Sequence, residues 1–557
     1  MITANEQSNL RSVASAPKPP LRVGLLIDSS VQPQWIHRVL SDIRASSVAT
    51  LSLVIVNDEP AEWTSPGLNF GLYRLYSRVD AWFCTPTPDP FEKVTIEPLL
   101  SQVPVVHVTP IKKKFTDEIR PEDIAVVAEH RLDVLLRFGF RILKGEILTT
   151  PTYGVWSFHH GDNRRYRGGP PGFWEVMNDD PVTGAILQIL SEELDNGRVI
   201  YRCFAETDRV SVRRGTHGVY WQASACVMRK LRQLHSVGPS ALDGHCTSSW
   251  NLYSHRLYKW PTNREMLRFI GRIASRYLRM KLRYLLYLDQ WFLAYKINPN
   301  ANDVDGTFYR FRRLVPPKDR FWADPFPLKR DGKYYIFFEE LPYKTRKGHL
   351  SVIQVDSRGI VDGPRTILER PHHLSYPFVF EWQGETYLIP ETRQARRVEL
   401  YRCTSFPDKW ELDRVLLTDV QAVDTTIAEI AGRWWMFTSL QVEGTRHLYE
   451  LHLYYADSPV GPWRPHEANP VKPETHTSRS SGRLVERDGS YYRPAQVGPG
   501  DSMILYKIEH LDPRSFVDVE AGRISPDWAP NIDGTHTFNS SDGLTVIDGL
   551  LVRRRYF

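Results

Sequence analysis

Cysteine is scarce in this chain of 557 residues: Cys84, Cys203, Cys226, Cys246 and Cys403, no two of them in a Cys-x-x-Cys pair. That excludes a disulfide framework and a cysteine-built zinc centre; it points to a reducing, cytoplasmic setting with no metal. No apolar run approaches the ~20 residues that cross a bilayer as a helix. The opening MITANEQSNLRSVASAPKPP lacks the apolar core of a signal peptide, so residues 1–20 are expected to be a disordered tail. No Gly-x-Gly-x-x-Gly follows the first strand, which leaves a dinucleotide unsupported. An excess of one charge is missing too. The net charge of +6 is small for the size and the basic residues cluster locally, which argues against a nucleic-acid binder while allowing a local basic patch.

The length asks for two or three domains. Residues 21–28 (LRVGLLID) and 50–57 form apolar runs of buried parallel strands, separated by helical spacing at Trp35, Ile36, Val39, Leu40 and Ile43. Further strands are expected at 79–84, 105–109, 132–138 and 154–158, and helices at 121–129 and 215–234. Such alternation predicts an α/β, doubly wound, Rossmann-like sheet over residues 21–245.

The densest chemistry lies between residues 154 and 200. A strand ending at Phe158 runs into a Gly/Pro-rich basic loop, then a short helix (Phe173, Trp174, Val176, Met177), a strand over 185–190 and the turn Leu194-Asp195-Asn196-Gly197. A histidine at one strand end and an aspartate after the next can meet at one sheet edge, where ligand clefts of open α/β sheets form. Taken singly, His159 reads as a loop histidine, Asp195 as a turn residue and Arg164, Arg165 and Arg167 as a solvated basic loop.

Together, Ser157-Phe158-His159, Tyr166-Arg167-Gly168, Pro171, Thr183-Gly184 and Leu194-Asp195-Asn196-Gly197 resemble, in order and spacing, the catalytic domain of the formyltransferase family. That family contains methionyl-tRNA, glycinamide ribonucleotide and sugar-nucleotide N-formyltransferases. The family's Asn-x-His begins here with Ser157. The resemblance implies N10-formyltetrahydrofolate as cofactor and Ser157, His159 and Asp195 as the catalytic set. His159 would hydrogen-bond or protonate the developing oxyanion, and Asp195 would fix the imidazole tautomer and help remove the amine proton. Arg164, Arg165, Tyr166, Arg167 and Gly168 would form the substrate loop. A serine in place of the asparagine shortens one oxyanion donor, a loss worth ~3 kcal/mol where it is not made up.

Residues 246–306 read as a basic helical linker. Met266, Leu267, Ile270, Ile273, Tyr277, Leu278, Leu285, Leu288 and Phe292 recur among six basic residues, predicting one or two amphipathic helices over 264–297. A connecting helix with its arginines in water and a peripheral contact with anionic lipid are both open readings.

From residue 307 to 557 a repeat of roughly fifty residues takes over. Each unit pairs a strand with an aromatic strand across Asp331-Gly332, Gln383-Gly384, Ala431-Gly432 or Asp488-Gly489, the signature of tight hairpins. A closing unit near residues 534–552 makes an all-β five-bladed propeller the expectation. Trp322-Ala323-Asp324-Pro325 and residues 454–463 resemble the furanosidase-type propellers of glycoside hydrolases. The region also resembles the propeller-like domain of plant glucosamine inositolphosphorylceramide transferases. Asp324, Glu391 and Asp424 are the carboxylates to consider there, with Asp324 closing a turn as the plainer reading and Trp322, Tyr376 and Trp382 as a glycan platform between the two.

The combined expectation is an N-formyltransferase acting on the amine of a small amino-sugar substrate, nucleotide- or lipid-linked, in surface polysaccharide synthesis. The alternatives are a glycoside hydrolase or glycosyl-transferring propeller enzyme, and a non-catalytic glycan-binding protein.

Overall fold

The computed structural model describes residues 18–60, 68–193, 197–243, 256–298, 306–445, 447–472, 477–498 and 502–555. Nearly all of the expected tail, and Asp195 with its neighbours 194 and 196, lie outside these.

Seven strands form the first sheet: β1 (Leu21–Ile27), β2 (Ala49–Asn57), β3 (Val105–Val108), β4 (Val134–Arg137), β5 (Val155–His159), β6 (Val182–Ile189) and β7 (Arg198–Glu206). Their order is β7-β6-β5-β4-β1-β2-β3. The first five are parallel, and β6 and β7 return antiparallel. The apolar runs sit in the middle of the sheet because both faces are covered. Helix α1 (Gln34–Arg44) buries Trp35, Ile36, Val39, Leu40 and Ile43 on one face, against the long helix over Val212–Val237 and the sheet.

Residues 79–84, expected as a strand, are the last turns of α2 (Gly71–Cys84). Leu72, Tyr73, Tyr76 and Asp80 recur at helical spacing on the face it packs inward, with Asp80 accepting from Ser211 Oγ at 2.6 Å and from Arg213 N at 2.8 Å. The expected helix at 121–129 is α3 (Pro121–Glu129). It is followed by the short α4 (Phe173–Asn178) and by α5, the helix Val212–Val237.

The amphipathic run after residue 263 divides. Helix α6 (Asn263–Leu286) opens on a capping box between Thr262 and Glu265, whereas Tyr287–Ile297 is an eleven-residue strand, β8. Helix does not continue because β8 pairs along its whole length with Leu544–Arg554.

Four antiparallel sheets of four strands follow in chain order, starting at Arg320–Arg330, Ser375–Trp382, Ala422–Ile430 and Val485–Arg487. A fifth sheet joins β8 to Arg312–Leu314, Leu544–Arg554, Ile532–Gly534 and Phe538–Ser541. The hairpin reading holds in detail: Asp331-Gly332, Gln383-Gly384, Ala431-Gly432 and Asp488-Gly489 all have both residues at positive φ, as a two-residue type I′ turn requires.

Asp324, Tyr376 and Asp424 occupy one position in three successive units. Each has φ near +50°, at a break in strand register. From these bulges hydrogen bonds run from sheet to sheet: Tyr376 N to Asp324 Oδ2 (3.2 Å), Tyr376 Oη with Thr426 Oγ1 (2.8 Å), Gly482 N to Tyr376 Oη (2.8 Å) and Thr537 Oγ1 to Asp324 Oδ1 (2.6 Å).

The two halves pack on each other through α5. Half-buried Arg229 meets buried Glu450 at 2.5 Å, and Gly444 lies so close to the Trp221 indole that a Cβ there would approach to 2.8 Å.

Candidate functional site

Strands β4 and β5 run parallel with Arg137 directly opposite Ser157. Arg137 Nη1 donates to Ser157 Oγ over 2.9 Å, and Nη2 donates to the carbonyls of Phe140 and Arg141 at 3.1 and 2.8 Å. The Arg137 Nε is buried without a hydrogen-bond partner. Burial lowers the pKa of this guanidinium against the opposing pull of the Asp28 and Asp117 carboxylates. It stays charged all the same, and no carboxylate among the described residues forms an ion pair with it. A buried cation with a spare donor is primed to bind negative charge.

His159 ends β5. Its Nε2 lies 3.1 Å from the Tyr166 carbonyl oxygen, so that nitrogen carries the proton it donates, and Nδ1 remains as an acceptor. Ser157, His159 and Arg137 face one pocket of about 140 Å³, closed by Gln188, residues 190–193 and Gly197. Asp195 itself lies outside the described residues, though both ends of its loop line this space. His160 points the other way: it is sandwiched in the core, with its ring 3.7 Å from that of Tyr220, and burial drives its pKa down to about 3.

The basic loop is tied down more than its composition suggests. Arg165 pairs with buried Asp180 at 2.8 Å, and Tyr166 Oη donates to the same carboxylate at 3.0 Å. The Arg164 side chain is exposed. Arg167 and Gly168 pair with Leu257 and Tyr258 in a short parallel bridge. Gly168 sits at φ 90°, and a Cβ there would come within 2.1 Å of the Tyr258 carbonyl oxygen.

In the C-terminal sheets, the three carboxylates singled out from sequence lie in one buried charged cluster. Asp424 takes a two-pronged grip from Arg479, at 2.6 and 3.1 Å. Burial, and then the Asp424 charge, push Glu391 up to about 7. Asp324 and Asp548 flank His536 at 3.3 and 2.6 Å. These three could hold a cation by their chemistry, but a protonated imidazole between the two carboxylates already offsets one of their two negative charges. The expected aromatic platform does not form. Trp322 and Tyr376 are buried in the cores, and Trp382 is at the far end of the strand that Tyr376 begins, some ~20 Å away.

Arg137, His536, Asp548 and Arg479 escaped the sequence reading. A lone arginine ending a buried strand next to the Ser157 strand was the one local signal for Arg137; the others are brought in from distant segments.

Known proteins resemble the two halves separately. Residues 312–530 match the family described as glucosamine inositolphosphorylceramide transferase 1, N-terminal. The chain is 35% identical over 209 residues to glucosamine inositolphosphorylceramide transferase 1 of Oryza sativa subsp. japonica, covering 36% of this chain and 28% of that protein. It is 32% identical over 104 residues to the methionyl-tRNA formyltransferase of Prochlorococcus marinus, covering 16% of this chain and 31% of that protein. The chain thus spans about a third or less of the length of these curated relatives. A solved glycinamide ribonucleotide transformylase from Symbiobacterium toebii covers 39% of this chain and 89% of its own at 16% identity, with a TM-score of 0.27, too loose a likeness to add to the topology above. The chain joins a formyltransferase-like part to one similar to glucosamine inositolphosphorylceramide transferase 1. Among the described residues no helix is long and apolar enough to cross a membrane.

Proposed function

We propose that the α/β domain is an N-formyltransferase, moving a formyl group from N10-formyltetrahydrofolate to the amine of a nucleotide- or lipid-linked amino sugar in surface polysaccharide synthesis. The observation that carries this reading is the convergence of Ser157, His159 and Arg137 on one pocket at the ends of β4 and β5. The similarity to methionyl-tRNA formyltransferase supports the reaction class. The acceptor class draws on the printed name of the plant relatives, which contains glucosamine and a ceramide lipid.

When bound, the folate supplies the formyl carbon. The donor set fits that reacting end, because the buried and unpartnered Arg137 Nε lies beside the Ser157 hydroxyl. At about 140 Å³ the pocket is smaller than ordinary ligand sites of roughly 300–1,000 Å³, so the pterin and glutamate would lie beyond it. Ser157 Oγ accepts from Arg137 while its own O–H reaches the Phe158 carbonyl over a long 3.5 Å, a bond it would exchange for an oxygen gaining negative charge. The guanidinium adds full positive charge at the same point, in place of the family's amide. His159 holds its Nε2 proton on the Tyr166 carbonyl and offers Nδ1 to the proton leaving the amine, which it would hand on to the departing folate nitrogen as the old formyl C–N bond breaks. Both imidazole nitrogens being engaged, Asp195 is assigned the role of helping to remove the amine proton; the pocket position of Glu193, two residues before it, supports this.

The five C-terminal sheets are read as a closed five-bladed propeller. The pairing of β8 with Leu544–Arg554 and the bonds from bulge to bulge support that reading. A cytoplasmic setting accords with the buried free thiols of Cys203 and Cys226.

A second reading makes the propeller a glycoside hydrolase or glycosyl-transferring centre. It is favoured by Glu391, pushed up to about 7 by burial and by the Asp424 charge, in the same cluster as the Arg479–Asp424 ion pair at 2.6 Å. A pair of carboxyls is what acid–base chemistry on a sugar needs. In a third reading the chain only holds glycan. Mass spectrometry decides among them. A formylated amino sugar formed by the wild type and absent with His159→Ala supports the first. Aryl-glycoside turnover lost in Glu391→Gln, with no formylated product, supports the second, and glycan binding without either turnover supports the third.

A further inference from the structure

Exposed large apolar side chains are concentrated on two neighbouring helices. On α6, Tyr277, Leu278, Leu282 and Leu285 face solvent, and on α2 Trp82 is 82% and Phe83 73% exposed. The helices touch near their starts, where Asn263 Oδ1 accepts from Leu72 N and Phe269 packs edge-on to Tyr76 at 5.0 Å. Apolar packing anchors the first turns of α6. Arg272 and Arg276 add bonds to the Met177 and Val176 carbonyls at 2.8 and 2.7 Å, and Arg283 pairs with Asp533 at 2.6 Å, which leaves Arg268 and Arg279, both exposed, as the remaining cations of the groove along the helix. Met266 and Phe269 are fully buried, while from residue 277 to the end of the helix every side chain is exposed.

The helix has three faces. Met266, Phe269 and Ile273 pack on the body. Leu267, Ile270, Leu278 and Leu285 recur at helical spacing on a second, exposed face. Arg268, Arg272, Arg276 and Arg279 form the third and line a groove of about 490 Å³. The one carboxylate in that groove, Asp179, is already gripped by Arg209 at 2.6 Å. No acidic residue occurs from 266 to 288, against six cations.

We propose that α6, with the exposed end of α2, docks the protein on a bilayer, the arginine groove taking the phosphate of an anionic phospholipid headgroup while the leucine face enters the acyl boundary. The charge pattern selects this occupant. A second copy would bring one acid-free basic helix against another, whereas an anionic headgroup layer offers the complementary sign beside an apolar phase. Arginine forks suit phosphate oxygens, and the flanking Tyr277, Tyr284 and Trp82 are the amphipathic rings found at such boundaries.

The test is co-flotation of the full chain with vesicles of phosphatidylcholine alone or mixed with phosphatidylglycerol. Binding is expected with the mixed vesicles only, and should weaken at high salt. Each of Arg272→Gln and Arg279→Gln should lower it by about five-fold. Leu278→Asp with Leu285→Asp should abolish it, with an unchanged thermal midpoint and circular dichroism spectrum. Equal binding to neutral vesicles, or binding to neither, would overturn the proposal. So would inorganic phosphate raising the thermal midpoint as much as vesicles do, which would make the groove a site for free phosphate. A dimeric wild type that becomes monomeric with the aspartate pair, without any vesicle binding to lose, would show that a second copy covers the face.

Discussion

Arg137 and Ser157, side by side on adjacent parallel strands, are joined by a 2.9 Å hydrogen bond in which the guanidinium donates and the hydroxyl accepts. The shortened side chain at the start of the Ser-x-His element is thereby backed by a full charge. Arg137→Gln, which keeps an amide donor but removes that charge, is expected to lower kcat of formyl transfer by ~10²–10³-fold with a smaller change in KM. Thermal unfolding of the same variant separates this from lost packing, because Arg137 also holds the Phe140 and Arg141 carbonyls.

His536 should give the C-terminal sheets a pH-dependent stability. Burial lowers its pKa, but the Asp548 and Asp324 carboxylates outweigh that and raise it to about 9. The folded value lies above the unfolded value of about 6.5. The contribution is therefore whole below about pH 6.5 and is lost as pH rises through about 9, up to ~3 kcal/mol in all. Thermal midpoints between those limits should fall in the wild type and stay flatter in His536→Gln.

The Arg229–Glu450 pair couples the halves. Glu450→Gln leaves a largely enclosed guanidinium without its counter-charge, and the expected cost is ~2–4 kcal/mol. In urea, the single transition should lose midpoint or split into two; an unchanged curve would show that the pair carries no coupling.

Gly168→Ala should strain the loop over residues 160–170, since the residue sits at φ 90° and its Cβ would collide with the Tyr258 carbonyl. A loss of ~1–3 kcal/mol is expected, together with easier proteolysis between residues 160 and 170.

Local pattern carried much of this architecture. The Xaa-Gly turns between aromatic strands and the apolar runs of β1 and β2 state their conformation in a few adjacent residues. Elements defined by distant partners did not. Residues 287–297 kept an apparently helical spacing through Leu288 and Phe292, yet became β8 because Leu544–Arg554 pairs with them. Residues 79–84 looked like a strand because Val79, Trp82 and Phe83 are bulky and apolar, while the Leu72, Tyr76, Asp80 spacing that makes them helical begins outside that window. Ser157 and His159 were visible as a motif. Arg137 was not, because its role depends on the β4–β5 register, and His536 joins Asp324 only across more than two hundred residues.

Single-turnover transfer of a labelled formyl group from N10-formyltetrahydrofolate to an amino sugar tests the pocket most directly. The expected result is label on the sugar nitrogen with the wild type, slowed by ~10²-fold or more in Arg137→Gln and His159→Ala. Label transfer at the same rate in both variants, or release of formate with no dependence on amino sugar, would contradict a formyl-transfer site at Ser157, His159 and Arg137.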